Sequence, residues 1–568
     1  MADNKKEIGY IVGGGLKESF SARLTVPANE VQEGAFVTIE DGDWLFYGLA
    51  TDLQLGATDP RFADEQSEKR FPPQLANALH GQTLYTNLEI LPALMLERGP
   101  EPGSPTYADW LKKIGENTPH PIPVKTVPRH HSEVRLANEG DIAEIFGDPD
   151  ADGNFVIGYT REYTREQGHP VCVYLDKFVQ RSSGVFGATG TGKSFLTRLM
   201  LAGLMHRGQA SVLVLDMHNE YGFDDIASDT KKAVTGLKTK FKSRVNVVGL
   251  GAGATIRGQV PDFNLEIAMS DISSSDIEML TRELNLKETT PTTLNALWMT
   301  FRENWFAAFR AMTRETVMIE DEKGKKKEVP AEGSVAAWAD ANGVNVAAAE
   351  ALHDKLRRLF TKEYIVEKPA ADSVAQIIGA LEGGRHVVLS FGENESDLDY
   401  LLVSNLLTRK IRNAWEKKTN EFRSHGKAEP RPLIIVVEEA HKLLNREMAA
   451  QTTFATIARE LRKYYVTLLI VDQRPSQIYD EVMSQLGTRI SGWLGDEDDI
   501  HAALSGLAGR EALRGMLARL QPKEEVLLLG WGVPMPLPVR SRRYDEAFWK
   551  ELLGGKKSQA ESMKELGF

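Results

Sequence analysis

The segment Gly187–Ser194, with the sequence GATGTGKS, restricts the fold of this chain more than any other. Its spacing, G-x-x-x-x-G-K-[ST], is typical of a loop whose backbone N–H groups surround phosphate oxygens, next to the partial positive charge of a helix N-terminus. A short apolar strand, Ser183–Phe186, precedes the loop, and residues with helical spacing, Phe195–Leu201, follow it. The segment therefore predicts an α/β fold with a site for a nucleoside triphosphate.

We expect this loop to hold ATP together with Mg²⁺. Lys193 is placed to reach the β- and γ-phosphates, and the hydroxyl of Ser194 to coordinate the metal ion. The predicted nucleotide contacts are Gly187, Ala188, Thr189, Gly190, Thr191, Gly192, Lys193, Ser194 and Phe195.

Composition sets broad limits on the class of protein. A length of 568 residues predicts two to four domains, and 42% hydrophobic with 26% charged residues is typical of a globular chain. The single cysteine, Cys172, excludes internal disulfides and cysteine-based metal sites. A net charge of −12 argues against a surface that is basic throughout, but it is compatible with a local basic channel. The chain lacks a long apolar run and an apolar leader, so we expect a cytoplasmic protein with no membrane segment.

The pattern of residues divides the chain into three parts. Residues 1–150 are predicted to form a small N-terminal β-barrel with an extended insertion, which includes a polar loop at Asp59–Pro73. Residues 151–545 alternate strand and helix around a parallel sheet, with a helical insertion at about 265–382 that contains a charged, hairpin-like loop, Glu320–Glu328. Residues 546–568 are predicted to be a polar tail. The barrel strands are expected at Ile8–Val12, Ser21–Val26, Phe36–Ile39 and Trp44–Leu49, and the apolar strands of the core at Ser211–Asp216, His386–Phe391, Leu433–Val437 and Val466–Val471.

Two adjacent carboxylates, Glu438 and Glu439, follow the apolar strand Leu433–Val437. At such a strand end one acid can face Mg²⁺ and the next can orient or deprotonate the attacking water. We therefore predict Glu438 as the acid on the metal side and Glu439 as the catalytic base. Capping of the following helix by the two acids is the structural alternative.

Further polar residues follow the same pattern. Gln473, at the end of the strand Val466–Val471, is predicted to sense the γ-phosphate, although turn chemistry before a proline would also place it there. Arg459 and Arg462 lie in a basic helical segment; either can act as an arginine finger in a neighbouring subunit, and a solvated helix face fits the spacing equally well. Asp216, His218 and Glu220 follow another core strand, where a phosphate-side network is a better interpretation than a transition-metal site.

These motifs, in this order, resemble those of the HerA family of hexameric DNA-translocating ATPases, within the HerA–FtsK group. The resemblance implies a RecA-like P-loop ATPase core behind a small barrel, with the nucleotide bound between the subunits of a ring. It also implies a catalytic Glu439, a contribution of Arg459 or Arg462 across the interface, and an approach of Arg181 to the phosphates of its own subunit. The matching segments are Phe186–Ser194, Leu215–Tyr221, Val437–His441, Ala458–Lys463 and Asp472–Ser476.

The resemblance leaves two functional hypotheses open. In the first, a homo-hexamer acts as a translocase or helicase that pumps double-stranded DNA through a central pore, and a NurA-type nuclease bound through the barrel processes DNA ends in repair. In the second, the hexameric ATPase is a scaffold that recruits and activates an effector, a nuclease or a sirtuin-like NADase, in anti-phage defence. The two differ in whether DNA stimulates ATP hydrolysis.

Overall fold

The computed structural model describes residues 7–58, 84–100, 104–115, 119–161, 168–227, 231–320, 326–448 and 453–554. The predicted polar loop Asp59–Pro73 and the last 14 residues of the predicted tail lie outside them. Across these ranges, no helix combines the length and the apolar character that a membrane crossing needs.

The N-terminal part forms an antiparallel β-barrel, which confirms the predicted fold of this region. Within the described residues its sheet has seven strands, and the strand Phe20–Leu24 pairs with both Glu7–Gly14 and Leu84–Glu97, which closes the barrel. Side chains alternate between buried and half-buried along Phe20–Leu24, as expected of a strand with one face in a core. In spatial order the strands are Phe20–Leu24, Glu7–Gly14, Glu133–Leu136, Phe36–Asp41, Trp44–Ala57, Leu84–Glu97 and Ile122–Pro123.

A buried arginine joins the barrel to the helix that follows it. Arg135 donates hydrogen bonds to both carboxylate oxygens of Asp141, at 2.5 and 3.0 Å, and to Glu40 at 2.7 Å. Asp141 belongs to a capping box at the start of helix Glu139–Phe146. The charged groups compensate one another, as buried charges must.

The second part is built on one large mixed sheet. Its described portion has twelve strands, of which eight are parallel and four, at one edge, are antiparallel. The predicted parallel sheet is thus confirmed for the core strands and is extended by an antiparallel edge. In spatial order the strands are Phe263–Leu265, Val245–Leu250, His386–Ser390, Ser211–Asp216, Leu433–Glu438, Val466–Asp472, Ser183–Phe186, Thr488–Ser491, Glu525–Gly530, Leu537–Ser541, Asn154–Thr160 and Pro170–Tyr174.

Helices cover both faces of this sheet, which explains why its central strands are apolar along their whole length. The strands Leu433–Glu438 and Val466–Asp472 are buried at every position. The helices and helical turns of this part and its flanks are Tyr107–Ile114, Glu139–Phe146, Leu175–Phe178, Lys193–Arg207, Leu237–Phe241, Asp397–His425, His441–Leu444, Thr453–Glu460, Asp480–Gln485, Glu497–Ala503, Arg510–Ala518 and Glu546–Leu553.

The predicted helical insertion is present between two strands of the sheet. The expected charged hairpin is a two-stranded antiparallel ribbon, Thr316–Glu320 with Lys326–Pro330. The helices of the insertion are Ser274–Glu278, Thr290–Phe301, Trp305–Ala311, Val335–Ala341, Val346–Phe360 and Ser373–Glu382.

The first residues of the predicted polar tail form a packed helix, Glu546–Leu553. The side chain of Asp545 accepts the N–H of Phe548 and caps the helix, and Trp549 is buried against Phe241. The prediction of a polar tail was wrong for these residues, because two aromatic side chains give the helix an apolar face that docks on the core.

Candidate nucleotide-hydrolysis site

The phosphate loop lies between the strand Ser183–Phe186 and the helix Lys193–Arg207, as the sequence predicts. Gly190 and Gly192 have φ of 78° and 92°, a left-handed conformation that favours glycine. At Gly187, a Cβ would lie 2.7 Å from Oγ1 of Thr191, so a side chain there would collide with the loop itself. The glycines of the motif are therefore explained by the local backbone.

Two neighbouring turns support the loop from the protein side. Ala188 donates its N–H to the carbonyl of Trp493, and Lys523 donates its N–H to the carbonyl of Thr191. In contrast, the N–H groups of Gly190, Gly192 and Lys193 donate to no acceptor within the described part of the chain. Unpaired N–H groups at a helix N-terminus are the donors that phosphate oxygens need.

Three side chains converge in front of the loop. Nζ of Lys193 lies 3.7 Å from Oε1 of Glu439, and both side chains are less than one-fifth exposed. Nε2 of Gln473 donates to Oε2 of Glu439 at 3.4 Å, while Oε1 of Gln473 accepts the hydroxyl of Thr189 at 2.5 Å. The structure thus brings together the predicted phosphate lysine, catalytic base and γ-phosphate sensor.

The second carboxylate, Glu438, is buried behind this group. Its Oε1 accepts the hydroxyl of Tyr221 at 2.6 Å, and its Oε2 has no hydrogen-bond partner among the described residues. Burial raises the pKa of Glu438, and repulsion from the nearby Asp216 raises it further. Asp216 accepts the N–H groups of Glu220 and Tyr221, so the predicted phosphate-side network packs against Glu438.

The order of the strands differs from the simplest expectation. The strand of Glu438 is not next to the phosphate-loop strand, because Val466–Asp472 lies between them and pairs with both. This middle strand carries Gln473 at its end, which places the amide between the phosphate loop and Glu439.

The arginines occupy a different end of the sheet. Arg181 precedes its strand at the amino edge, with its guanidinium 4.5 Å from the ring centre of Trp531. Six residues at strand spacing separate it from Gly187 by about 20 Å. Arg181 therefore lies away from the phosphate loop of its own chain, and its approach to bound phosphates stays a prediction.

Arg462, one of the two candidate arginine fingers, also lies away from the phosphate loop of its own chain. Arg459 belongs to the helix Thr453–Glu460, and Arg462 is an exposed residue of the turn that leads into the strand Val466–Asp472. This turn is at the amino edge of the sheet, about 20 Å from Gln473 at the spacing of an extended strand. Whether either arginine enters a neighbouring site stays a prediction.

The remaining predicted contacts are near the loop but form no specific polar contact. Ser194 and Phe195 are half-buried in the first turn of the phosphate-loop helix, and Arg198 stacks over the ring of Phe195 at 5.4 Å. Sequence reasoning gave no role to Tyr221, His441 or Asp472. Tyr221 and His441 lie inside the matching motifs, so the sequence could have marked them as candidates. Their partners, however, lie on other strands, which the sequence does not pair with them.

Comparison with known proteins agrees with this geometry. Residues 155–411 match the family model described as "Helicase HerA, central domain". The DNA double-strand break repair helicase HerA of Sulfolobus acidocaldarius is 23% identical over 489 residues, which cover 85% of this chain and 82% of that protein. Over most of its length this chain is therefore similar to the HerA-type P-loop ATPases.

Other relatives match shorter or more distant parts. The probable DNA double-strand break repair helicase HerA of Methanocaldococcus jannaschii is 32% identical over 147 residues, 25% of this chain and 29% of that protein. Among solved structures, the bacterial conjugative coupling protein TrwBdeltaN70 is similar with a TM-score of 0.44 and 13% identity, over 72% of this chain and 92% of that one. The chain binds and hydrolyses ATP.

Proposed function

We propose that this HerA-type ATPase is a hexameric motor that moves double-stranded DNA through a central pore and supplies it to a partner nuclease of the NurA type. The proposed role in DNA ends is supported by the names of its relatives, which are DNA double-strand break repair helicases. Action in the cytoplasm stays a prediction from the sequence.

One observation carries the proposed chemistry: Glu439 contacts both Lys193 and Gln473 in front of the phosphate loop. A carboxylate beside the phosphate lysine is positioned to accept a proton from water as the water attacks the γ-phosphate. Gln473, held by Thr189, is positioned to respond when the γ-phosphate leaves. Glu439 is therefore the proposed base and Gln473 the proposed sensor.

The donor set of this site fits Mg²⁺. Ser194 offers a hydroxyl in the first turn of the phosphate-loop helix, and Glu438 offers a buried oxygen that has no hydrogen-bond partner in the described part of the chain. Hydroxyl and carboxylate oxygens are the ligands that Mg²⁺ prefers, and the ion usually keeps several waters besides. Bound there with ATP, Mg²⁺ would neutralise phosphate charge, and its attraction would offset the cost of ionising the buried Glu438.

The positions of Arg181 and Arg462 support a ring assembly. Arg181 and Arg462 both lie at the amino edge of the sheet, whereas the phosphate loop is at the carboxyl edge. Charge that develops on the γ-phosphoryl group is commonly stabilised by an arginine from a neighbouring subunit. We propose Arg462, and with it Arg459, as the source of that arginine across a subunit interface.

The test is the ATPase rate of the purified protein with and without linear duplex DNA, measured together with its native mass. The motor requires a ring of about six subunits whose hydrolysis rises several-fold with DNA. A ring whose hydrolysis ignores DNA would contradict the motor and favour the alternative, an ATPase scaffold that recruits an effector in anti-phage defence.

Two variants test the chemistry itself. Glu439→Gln should bind ATP but hydrolyse it at least about 100-fold more slowly, as expected when a positioned base is lost. Lys193→Ala should abolish ATP binding. Glu447→Gln, the same change at an exposed glutamate eight residues further on, should retain the wild-type rate. Wild-type hydrolysis by Glu439→Gln would remove Glu439 from the role of base.

A further inference from the structure

One buried carboxylate connects the two turns that carry the proposed base and sensor. Asp472 is fully buried at the end of the strand Val466–Asp472. Its Oδ2 accepts the backbone N–H of His441 at 2.7 Å and lies 3.0 Å from Nδ1 of the same histidine, and its Oδ1 accepts the N–H of Arg474 at 2.7 Å. Asp472 therefore joins the turn after Glu438 to the turn that contains Gln473.

The hydrogen bonds define which histidine nitrogen carries a proton. An ionised carboxylate only accepts hydrogen bonds, so Nδ1 of His441 is assigned as the donor to Asp472. The same Nδ1 lies 3.6 Å from Oε2 of Glu439. The imidazole edge thus lies between two carboxylates, one fully buried and structural and the other facing the phosphate loop.

The backbone of Glu439 needs such support. Its φ of 45° lies in the left-handed region, which non-glycine residues rarely adopt and which surrounding contacts must hold in place. Glu439 accepts the N–H of Lys442, and two residues after Glu439 the N–H of His441 is fixed on Asp472. The left-handed turn is therefore closed on both sides of its strained residue.

The three side chains also have the composition of a metal site. One oxygen or nitrogen atom from each of Glu439, His441 and Asp472 lies within 4.8 Å of the others. However, Oδ2 of Asp472 already accepts a backbone N–H and faces Nδ1 at hydrogen-bond distance. The hydrogen bond that His441 donates to Asp472 raises the pKa of His441, as expected for an imidazole paired with a carboxylate. These contacts favour a hydrogen-bonded pair.

We propose that His441, anchored by Asp472, is a positioning residue that holds the carboxylate of Glu439 in front of the phosphate loop. The inference rests on the proposed function, in which Glu439 activates water. Because the Nδ1 proton is donated to Asp472, the imidazole acts on Glu439 by packing and charge: the fixed ring edge lies 3.6 Å from Oε2 of Glu439, while Oε1 of Glu439 faces Lys193. His441 acts on hydrolysis only through Glu439 and contacts no phosphate.

The first test compares three substitutions of His441 in the full-length ATPase. His441→Ala should lower kcat at least about tenfold, because the base is no longer held, while the Kd for ATP changes less than about twofold. His441→Asn should recover most of kcat, since the side-chain amide nitrogen of asparagine lies as far from Cβ as Nδ1 does. His441→Gln, with its nitrogen one carbon further out, should remain as slow as the alanine variant.

A merely structural role would give a different pattern. If asparagine and glutamine were both as slow as alanine, or if all three lost ATP affinity and thermal stability together, the positioning role would be overturned. Native mass and thermal midpoint, measured for each variant with and without ATP, separate these cases. An alanine variant with wild-type kcat would overturn the proposal directly.

A double variant distinguishes failure of this inference from failure of the proposed base. If His441 acts through Glu439, adding His441→Ala to Glu439→Gln should cause no further loss of kcat. A multiplicative loss would mean that His441 acts independently, which contradicts the proposal. Wild-type hydrolysis by Glu439→Gln would instead remove the base itself, whereas an inactive Glu439→Gln beside a fully active His441→Ala would overturn the positioning role alone.

Discussion

Acidification should destabilise the large sheet through one histidine. His386 begins the strand His386–Ser390 and is fully buried, and neither of its ring nitrogens has a hydrogen-bond partner among the described residues. Burial lowers the pKa of this imidazole to about 3, and the positive charges of Arg244 and Arg431 contribute in the same direction. The folded protein therefore holds His386 neutral well below the pH at which an exposed histidine takes up a proton.

The size of the effect follows from proton linkage. Below about pH 6.5 His386 is protonated in the unfolded chain but stays neutral in the folded chain. Each further pH unit therefore lowers the free energy of unfolding by about 1.4 kcal/mol. The contribution of the neutral His386 to the free energy of unfolding is fully present above pH 6.5. It is lost as the pH falls toward the pKa of His386 in the folded protein. At pH 4.5 the loss from this residue should be about 3 kcal/mol.

The assay compares the wild type with His386→Leu, which replaces the imidazole with an apolar side chain. Hydrogen exchange of peptides from the strand His386–Ser390, followed over a series of urea concentrations, reports the unfolding of this sheet separately from the barrel. Between pH 7.5 and 4.5 the wild type should lose about 3 kcal/mol more than the variant, because all other titrating groups are common to both. His501→Leu, at an exposed histidine, should behave like the wild type.

Parallel stability curves for the wild type and His386→Leu would refute this reasoning. They would mean that His386 is protonated as easily in the folded protein as in the unfolded chain, which a fully buried, unpaired imidazole does not allow.

Three further outcomes are expected. Thr189→Val removes the hydroxyl that holds Gln473 and should lower kcat several-fold with little change in the Kd for ATP, whereas Thr189→Ser should retain the rate in the same steady-state assay. Arg462→Ala subunits should regain ATPase activity when they are mixed with subunits defective in their own phosphate loop; no recovery would place Arg462 outside the neighbouring site. Arg135→Met removes the buried cation that Asp141 and Glu40 both contact and should cost about 3 kcal/mol in urea unfolding of its strand. Arg129→Met, at an exposed ion pair, should cost less than about 1 kcal/mol.

Much of the ATPase core could be located from the sequence. The strands predicted at Leu433–Val437 and Val466–Val471 each continue by one residue in the structure. Continuous apolar runs that end in polar residues are a strong signal, because a strand covered on both faces admits few polar side chains. The convergence of Lys193, Glu439 and Gln473 follows from that signal, since parallel strands present their carboxyl ends at one edge.

Other features were beyond the reach of the sequence for physical reasons. The resemblance implied that Arg181 approaches the phosphates, whereas the extended strand between Arg181 and Gly187 separates the two residues along the sheet. The pairing of His441 with Asp472 depends on which strands are neighbours, and a single sequence does not encode strand order. The same limit hid the antiparallel edge of the sheet.

The antiparallel edge of the large sheet pairs strands that are synthesised far apart in time. Residues 154–160 pair with residues 537–541, and Thr160 faces Val539 across the ladder. During synthesis, the first of these strands leaves the ribosome hundreds of residues before its partner exists, with one hydrogen-bonding edge and the apolar side chains of Phe155 and Ile157 still uncovered. Closure of so long a loop is slow, and an unpaired strand edge invites pairing with the wrong chain. The core is therefore completed only after residue 541 has been synthesised, and a fragment that stops before residue 537 lacks an interior strand of the sheet.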